Sequence, residues 1–351
     1  MKKKTSKLKV FIIALVILIA LIGSSLLFVN YQLSPVSDKS QKVNFLIKEN
    51  DNLTSISNKL ESEEIIKSAF FTKAYGKVFN VSQFIKGPFE LNKNWDSKKI
   101  LKTLTNAENV IVNEVSVTLQ EGLWAKDNAE KIGLKTDVSA KQLLELWNNP
   151  DYVRSLMDKY NFLTEEIFND DAKVLLEGYL APNTYNFYID TSAKVITEKL
   201  LDQSQKVFDK YYDEFMASEY SIHQLYSLAS LTQYESGNYE DDQIIAGIWY
   251  NRLDLGMRLE SSAAVCYALY EFDNWEECEK NTNYDSPYNN YLYAGIMPGP
   301  VTNPGESSIK ATLYPKDTDY LFFLADAYGD KKIYYSKTFE EHSKKVNKYL
   351  R

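Results

Sequence analysis

A run of twenty residues without a charged side chain, Val10–Val29, constrains this chain more than any other feature of its sequence. About 20 apolar residues are needed to cross a bilayer as a helix, so we expect residues 10–30 to span a membrane. The basic tail, residues 1–9, should stay in the cytoplasm and the bulk of the chain should lie outside. The alternative is a cleaved signal peptide, which the length of the run and the lack of an A-x-A site disfavour. We therefore expect a single-pass protein of the cytoplasmic membrane.

The remainder of the chain is acidic. The formal net charge of the 351 residues is −8, and it becomes −13 when the five lysines of the basic tail are left out. This charge disfavours nucleic acid as a partner, because nucleic acid requires a basic face.

The sequence offers few groups for catalysis other than carboxylates. It contains two histidines, His223 and His342, without an H-E-x-x-H motif, a Cys/His cluster, a G-x-S-x-G elbow or a Gly-rich phosphate loop. We expect no metal and no cofactor. His342 lies in the final helix and is interpreted as a surface residue.

The pattern beyond the apolar run predicts an α+β protein with two extracytoplasmic parts. Residues 31–42 form a polar linker that contains Pro35, and residues 43–108 form a small α+β subdomain that begins with a strand at Val43–Ile47. Residues 109–351 form a larger α+β domain. Residues 110–172 repeat the strand-then-helix order of the first part, so they could form a separate intermediate subdomain.

Hydrophobic periodicity and capping residues locate the secondary structure. In the small subdomain we expect a helix through Leu60 that Asp51 or Thr54 caps, a helix over Ser68–Val78, and a helix that begins at Asp96 or Ser97. In the larger domain we expect helices over Ala125–Ile132, Val138–Leu146, Tyr152–Tyr160, Ala193–Met216, Ser221–Ser236 and up to Leu253. The chain then becomes loop-rich after Tyr284, and it ends with strands over Asp319–Ala325 and Lys332–Ser336, a turn at Gly329-Asp330 and a final helix.

Glu235 stands where the helical pattern requires an apolar residue. Leu225, Leu228 and Thr232 form a stripe with spacings of three and four, and Glu235 is the next position on it. A carboxyl that loses water at such a position has a raised pKa, and one raised to ~6 can protonate a glycosidic oxygen. The alternative is a partly exposed glutamate at a helix end, next to Gly237.

Other residues permit both a structural and a functional interpretation. Glu177 and Glu121 each precede a glycine, so each could serve a turn or accept backbone hydrogen bonds. Asn251-Arg252 lies at a helix end. The positive charge of Arg252 could interact favourably with the helix dipole there, or its side chain could bind a substrate carboxylate in bidentate fashion. Cys266 and Cys278 could form a disulfide outside the cytoplasm, but their spacing leaves both states open because the Cα atoms must come within ~7 Å.

Several motifs, in one order, resemble the endolytic murein transglycosylase (MltG, YceG-like) family. They are LEGYLAPNTYNF, ASLTQYESG, IAGIWYNRLDLGMRLESS, SPYNNYLYAGIMPGPVTNPG and YSKTFEEH. Residues 43–108 resemble the LysM-like subdomain of that family. The resemblance implies cleavage of nascent peptidoglycan strands between MurNAc and GlcNAc, a 1,6-anhydroMurNAc product, and partnership with cell-wall synthases.

The resemblance assigns the catalytic role to Glu235, the second acid of an E-K-E pattern that here reads Gln233-Tyr234-Glu235. The chain departs from the family at Gln233, and again at Ser262, where an S/T-D-P-T run has become Ser261-Ser262-Ala263-Ala264. These departures leave open a non-catalytic peptidoglycan-binding or scaffolding protein, and a muramidase that uses water is a third hypothesis. The residues predicted to bind substrate are Glu177, Tyr179, Asn251, Arg252, Ser262, Tyr288, Asn289 and Asn303.

Overall fold

The computed structural model describes residues 2–111, 113–326 and 332–349, with side chains from Leu8 onward. The chain divides into two compact units, Met1–Asn113 and Glu114–Arg351. Helices and strands are mixed in both units, and this confirms the predicted α+β class.

The first unit begins with the long helix α1 (Lys2–Leu33). Within its segment Leu8–Leu33, a stretch of 18 residues has a mean hydropathy of 3.0 and no buried residue, and the segment is long enough to cross a membrane. At 1.5 Å per residue these 26 residues measure about 39 Å, more than the ~30 Å hydrocarbon core of a bilayer. The helix is therefore consistent with a single-pass membrane anchor.

The rest of the first unit is a two-stranded sheet covered by short helices. Its elements are β1 (Lys42–Ile47), α2 (Leu53–Ser62), α3 (Ala69–Val78), β2 (Gly87–Asn92) and α4 (Ser97–Leu104). The strands are antiparallel, with Phe45 opposite Phe89, and both rings are buried in a core with residues of α2 and α4. The predicted cap of α2 was wrong, because Asn52 accepts hydrogen bonds from Thr54 N and Ser55 N.

The second unit contains eleven α-helices and four strands in its described residues. They are β3 (Glu114–Leu119), α5 (Ala125–Gly133), α6 (Ala140–Trp147), α7 (Pro150–Leu156), β4 (Asn183–Tyr188), α8 (Ala193–Lys210), α9 (Tyr212–Ala217), α10 (Ile222–Glu235), α11 (Tyr239–Asp254), α12 (Ser262–Leu269), α13 (Trp275–Glu279), α14 (Glu306–Leu313), β5 (Phe322–Ala325), β6 (Ile333–Ser336) and α15 (Phe339–Tyr349). Strands β3 and β4 pair antiparallel, as do β5 and β6.

Two hydrophobic cores support this second unit. One contains residues of β3, β4 and α5 to α10, so the segment 110–172 shares its core with later parts of the chain. The other contains residues of α10, α11 and α12 together with the loop before α14. Helix α10 contributes to both cores, which explains why it is buried over most of its length.

The structure differs from the sequence prediction in a few elements. Strand β4 was not predicted, and the long helix expected over Ala193–Met216 is interrupted at Tyr211, whose ψ of 24° does not continue a helix. Helices α12, α13 and α14 lie in regions without a clear periodicity. The two terminal strands and the closing helix are confirmed, and the predicted turn at Gly329-Asp330 lies outside the described residues.

Candidate active site

Helix α10 carries Glu235 to the edge of the second core. Ser221 begins the helix with a capping box, in which its side chain accepts from Gln224 N and Gln224 bonds back to Ser221 N. The stripe that precedes Glu235 is buried, and the helix ends at Glu235 itself with Ser236 in an extended conformation. The glutamate is partly exposed, so one end of a buried helix presents its carboxyl to a cavity.

The surroundings of Glu235 raise its pKa to about 7. Burial has the largest effect because it disfavours the charged carboxylate, and the negative charge of Glu279 acts in the same direction. The Ser261 hydroxyl donates to Oε1 at 2.7 Å and the Arg252 cation is nearby, and both lower the pKa. Near neutral pH the carboxyl is thus poised between its protonated and ionised forms, as a group that both donates and accepts a proton requires.

Glu235 lines a cavity of about 400 Å³ in the second unit. Polar side chains from five other elements or loops share this lining, namely Arg252, Glu260, Ser262, Tyr291 and His342. Burial and the negative charges of Glu235 and Glu260 raise the pKa of Tyr291 to about 12, so its hydroxyl stays neutral and able to donate. Apolar walls with a few polar groups are typical of ligand sites of this size.

Asn251 and Arg252 hold the segment that leads into β5. The Asn251 amide donates to Thr318 O at 2.7 Å and Tyr320 O at 2.9 Å. Arg252 donates through Nε to Leu321 O at 2.6 Å and through Nη1 to Leu259 O at 2.7 Å. Nε and Nη1 of Arg252 therefore serve backbone carbonyls, its side chain lines the cavity, and the alternative contact with a substrate carboxylate stays a prediction.

A disulfide anchors the acidic segment that follows α12. Cys266 and Cys278 are bonded, with their Cα atoms 5.0 Å apart and both residues buried. The disulfide ties α13 to α12, the helix that begins at Ser262. At the end of α13, Glu279 Oε1 accepts hydrogen bonds from the Tyr234 hydroxyl at 3.0 Å and from Ser262 Oγ at 3.4 Å. The segment therefore brings a carboxylate to Ser262, the position where the sequence lacks the aspartate of the family pattern.

Glu177 and Asn303 lie together in a different part of the unit. Glu177 is 2% exposed and accepts from Ala125 N at 2.9 Å and from the Asn303 amide at 2.7 Å. Burial raises the pKa of Glu177 to about 8. The next residue, Gly178, has a φ of +87°, and a Cβ there would lie 2.2 Å from the Pro300 ring, so only glycine fits. This arrangement agrees with the structural interpretation of Glu177.

Three other residues predicted to bind substrate are also buried away from the cavity lining. The Tyr179 hydroxyl bonds to His223 Nδ1 at 2.6 Å. Asn289 donates to the carbonyls of Thr282 and Tyr284 at 2.9 and 2.7 Å and so shapes the loop, and Tyr288 packs against the ring of Tyr267. Of the eight predicted residues, the structure brings only Arg252 and Ser262 into the cavity with Glu235.

Gln233 has a defined structural partner. Its side-chain oxygen accepts from Gly305 N at 2.8 Å and from Ser308 Oγ at 3.1 Å, at the start of α14. Both contacts need an acceptor and neither needs a charge, so an amide can replace a carboxylate at this position.

Several residues of the cavity do not follow from the sequence pattern. The pattern predicts a surface position for His342, but this residue is partly buried and lines the cavity with Glu235. Glu260 and Tyr291 also line it, and Ser261 and Glu279 act on Glu235 from beside it. The YSKTFEEH motif was the only signal that could have singled out His342, since hydrophobic periodicity does not connect α15 with α10.

A larger cavity of about 530 Å³ lies between the β3–β4 pair, α8 and the start of α14. Its lining contains two carboxylates, Glu121 and Glu306. Glu306 is bonded to Lys210 at 2.5 Å, and this contact lowers the pKa of Glu306. A carboxyl that is ionised in this way is a poor proton donor, so Glu306 is a weaker candidate for acid catalysis than Glu235.

Comparison with known proteins gives a consistent result. The model of the YceG-like family matches residues 45–348. An endolytic murein transglycosylase of Bacillus subtilis is 33% identical over 94% of this chain and 91% of its own length, and one of Streptococcus pneumoniae is 29% identical over 98% of this chain and 66% of its own length. A crystal structure of a yceG-like protein from Listeria monocytogenes superposes with a TM-score of 0.61 at 32% identity, over 86% of this chain and 98% of that one. The chain belongs to the YceG-like family.

Proposed function

We propose that this protein is a membrane-anchored endolytic murein transglycosylase. It cleaves the bond between MurNAc and GlcNAc in nascent peptidoglycan strands and leaves 1,6-anhydroMurNAc ends, which terminates strand elongation. The observation that carries the proposal is the position of Glu235, whose pKa is raised to about 7 in a cavity of about 400 Å³. The names of the B. subtilis and S. pneumoniae relatives support the reaction class.

In the proposed mechanism one carboxyl serves both steps. Protonated Glu235 donates its proton to the glycosidic oxygen as the bond to the anomeric carbon breaks, through an oxocarbenium-like transition state. The ionised carboxylate then accepts the proton of the C6 hydroxyl of the same MurNAc, and the C6 oxygen bonds to the anomeric carbon. The attack is intramolecular, so proximity replaces the activation of a water molecule.

The small subdomain and α1 support the same proposal. We assign residues 43–108 to glycan binding as a LysM-like subdomain, and α1 to the cytoplasmic membrane with the basic tail inside. The enzyme then acts on strands close to the membrane, where cell-wall synthases produce them. Interaction with those synthases is part of the proposal and follows from the location of the substrate.

Mass analysis of the digestion products tests the reaction. The full-length protein in detergent should convert uncrosslinked murein strands into fragments with 1,6-anhydroMurNAc ends. Reducing MurNAc ends would instead identify a muramidase that uses water, and intact strands that remain bound to the protein would identify a scaffolding role. Both of these outcomes contradict the proposal.

A further inference from the structure

Helix α3 of the first unit has a buried face and an exposed apolar face. The buried face consists of Ala69, Thr72 and Gly76. Phe70, Ala74 and Val78 recur every four residues and are exposed, Phe70 by 68% and Val78 by 75%. Among the described residues outside α1, no large apolar side chain of this unit is more exposed than these two. We call Phe70, Ala74 and Val78 the outer stripe, and a contiguous exposed apolar surface of this kind indicates an interaction site.

The start of α3 lies beside the last turns of α1. The Lys67 ammonium lies 4.1 Å from the ring centroid of Tyr31 and donates to Ser34 Oγ at 2.8 Å. Four residues further along, the ring of Phe71 packs edge-on against that of Phe28, with the centroids 5.7 Å apart. The apolar run of the sequence ends one residue after Phe28. Helix α3 therefore begins at the level where a spanning α1 leaves the hydrocarbon core of the bilayer.

The segment between α1 and β1 is fastened to the small subdomain. Ser37 N donates to Lys93 O at 3.1 Å. The Asn92 side chain accepts from Gln41 N at 2.8 Å and donates to Ser40 Oγ at 2.7 Å. These bonds connect the segment to the end of β2, so α1 and α3 keep a fixed relation to each other.

The charge around α3 is opposite to that of the chain as a whole. Residues 65–89 contain four lysines and no acidic residue, whereas the chain beyond the basic tail carries a net charge of −13. Lys73 and Lys77 border the outer stripe along one edge, because each follows one of its members by three residues. Phenylalanine on an apolar face with lysines beside it is typical of helices that lie in a membrane interface, where the lysine stems reach the lipid phosphates.

We infer that α3 lies in the outer interface of the membrane, with the outer stripe among the lipids and with Lys73 and Lys77 at the phosphates of anionic lipids. A lipid surface suits this face because it continues the apolar surface of α1 at the same level. The inference rests on the membrane anchor in the proposed function and not on the proposed reaction. It assigns one orientation to the small subdomain, with α3 toward the lipids.

A matched control position lies on the opposite side of the subdomain. Strand β1 directs Phe45 and Ile47 into the core with α2 and α4, so the exposed Asn44 points away from these helices. Helix α3 contributes no residue to that core and packs on the helices instead, where Thr72 Oγ1 donates to Ser97 Oγ at 3.0 Å. A label at position 44 should therefore stay in water.

Fluorescence quenching by lipids tests the inference. Full-length A74C and N44C are labelled with the fluorophore NBD and reconstituted into vesicles of phosphatidylcholine and phosphatidylglycerol, and Cys266 and Cys278 take no label because they are bonded to each other. With phosphatidylcholine that carries a doxyl group near the head group, we expect A74C to be quenched about threefold more than N44C. Equal quenching overturns the inference. An NBD signal of A74C that responds to murein strands and not to the doxyl lipid assigns the face to glycan and also overturns it.

Two pairs of substitutions test whether the outer stripe holds the label in the lipid. Added to A74C, F70S and V78S replace exposed apolar side chains by polar ones, and we expect them to remove more than about half of the quenching. F70L and V78I keep the apolar surface and should leave the quenching unchanged. Undiminished quenching with F70S and V78S would mean that the label enters the lipid by itself, which overturns the inference.

A third label separates this inference from the proposed anchor. Leu18 lies in the middle of the apolar run, so labelled L18C should be quenched by a doxyl group deep in the acyl chains. Quenching of L18C without quenching of A74C contradicts the interfacial position of α3 alone. An unquenched L18C contradicts the anchor and this inference with it, and the digestion of murein tests the reaction independently of both.

Discussion

Two regions of the second unit each contain a glutamate with a raised pKa: Glu235 lines a cavity, whereas Glu177 is buried. Around Glu177, the backbone N–H of Ala125 and the amide of Asn303 donate to the carboxyl, and the residue is 2% exposed. Around Glu235, Ser261 donates a single bond and the rest of the carboxyl borders about 400 Å³ of open space. Burial is the main cause of the raised pKa in both regions.

The difference shows that a raised pKa does not by itself identify a catalytic acid. Desolvation acts alike on a carboxyl that fastens a loop and on one that meets a substrate. Access to a ligand and unused hydrogen-bonding positions distinguish the two. On this basis we propose that Glu177 stabilises the fold and that Glu235 takes part in the reaction, and each proposal can be tested by substitution.

The largest expected effect is on activity. E235Q removes the proton that Glu235 donates, so we expect the rate of anhydroMurNAc formation to fall by about 10²–10⁴. The matched control is E177Q, in which an amide replaces a carboxyl that burial already keeps largely protonated at pH 7, and we expect its rate to stay within about threefold of wild type. The rates are measured by chromatography of digested murein strands. Equal losses in both variants would refute the distinction.

The second-largest expected effect is on the free energy of unfolding. E177A leaves the N–H of Ala125 and the amide of Asn303 without their acceptor and opens a small void, so we expect a loss of about 2–4 kcal/mol in the free energy of unfolding. E177Q keeps an acceptor oxygen, and we expect it to lose less than about 1 kcal/mol. Urea denaturation of the full-length protein measures both. A neutral effect of E177A would mean that Glu177 does not fasten this part of the fold.

The sequence predicted local elements and the position of Glu235 better than it predicted the walls of the cavity. The spacing of Leu225, Leu228 and Thr232 sufficed to place Glu235 on a buried helix, because a helix brings residues three and four apart together. The predicted helix ends also agree with α3 and α10 to within a residue or two.

The rest of the site depends on contacts between residues far apart in the chain. His342 reaches the cavity through the packing of α15, and Ser261 reaches Glu235 across 26 residues. Glu279 is brought to Tyr234 by a disulfide that spacing alone left undecided. Tyr288, Asn289 and Asn303 belong to conspicuous motifs because they shape loops, and a motif does not reveal whether a side chain points inward or toward a ligand.

The smallest expected effect is on the pH dependence of the reaction. Glu235 must be protonated to act as an acid, so kcat/KM should decline as the pH rises through about 7. The negative charge of Glu279 helps to keep Glu235 protonated, and E279Q removes that charge while its amide oxygen still accepts from Tyr234 and Ser262. Because Glu279 is exposed and solvent screens its charge, we expect the decline to begin about half a pH unit lower.

The control for this shift is E276Q, three residues earlier on α13. Glu276 is exposed and pairs with Lys280, and it is not among the charges that act on Glu235. We expect its pH profile to match wild type, as measured by initial rates on murein strands between pH 5 and 9. A shift of E279Q toward higher pH, or the same shift in E276Q, would show that Glu279 does not tune the proton of Glu235. The region around Glu235 would then differ from that around Glu177 only in the access of a ligand to the carboxyl.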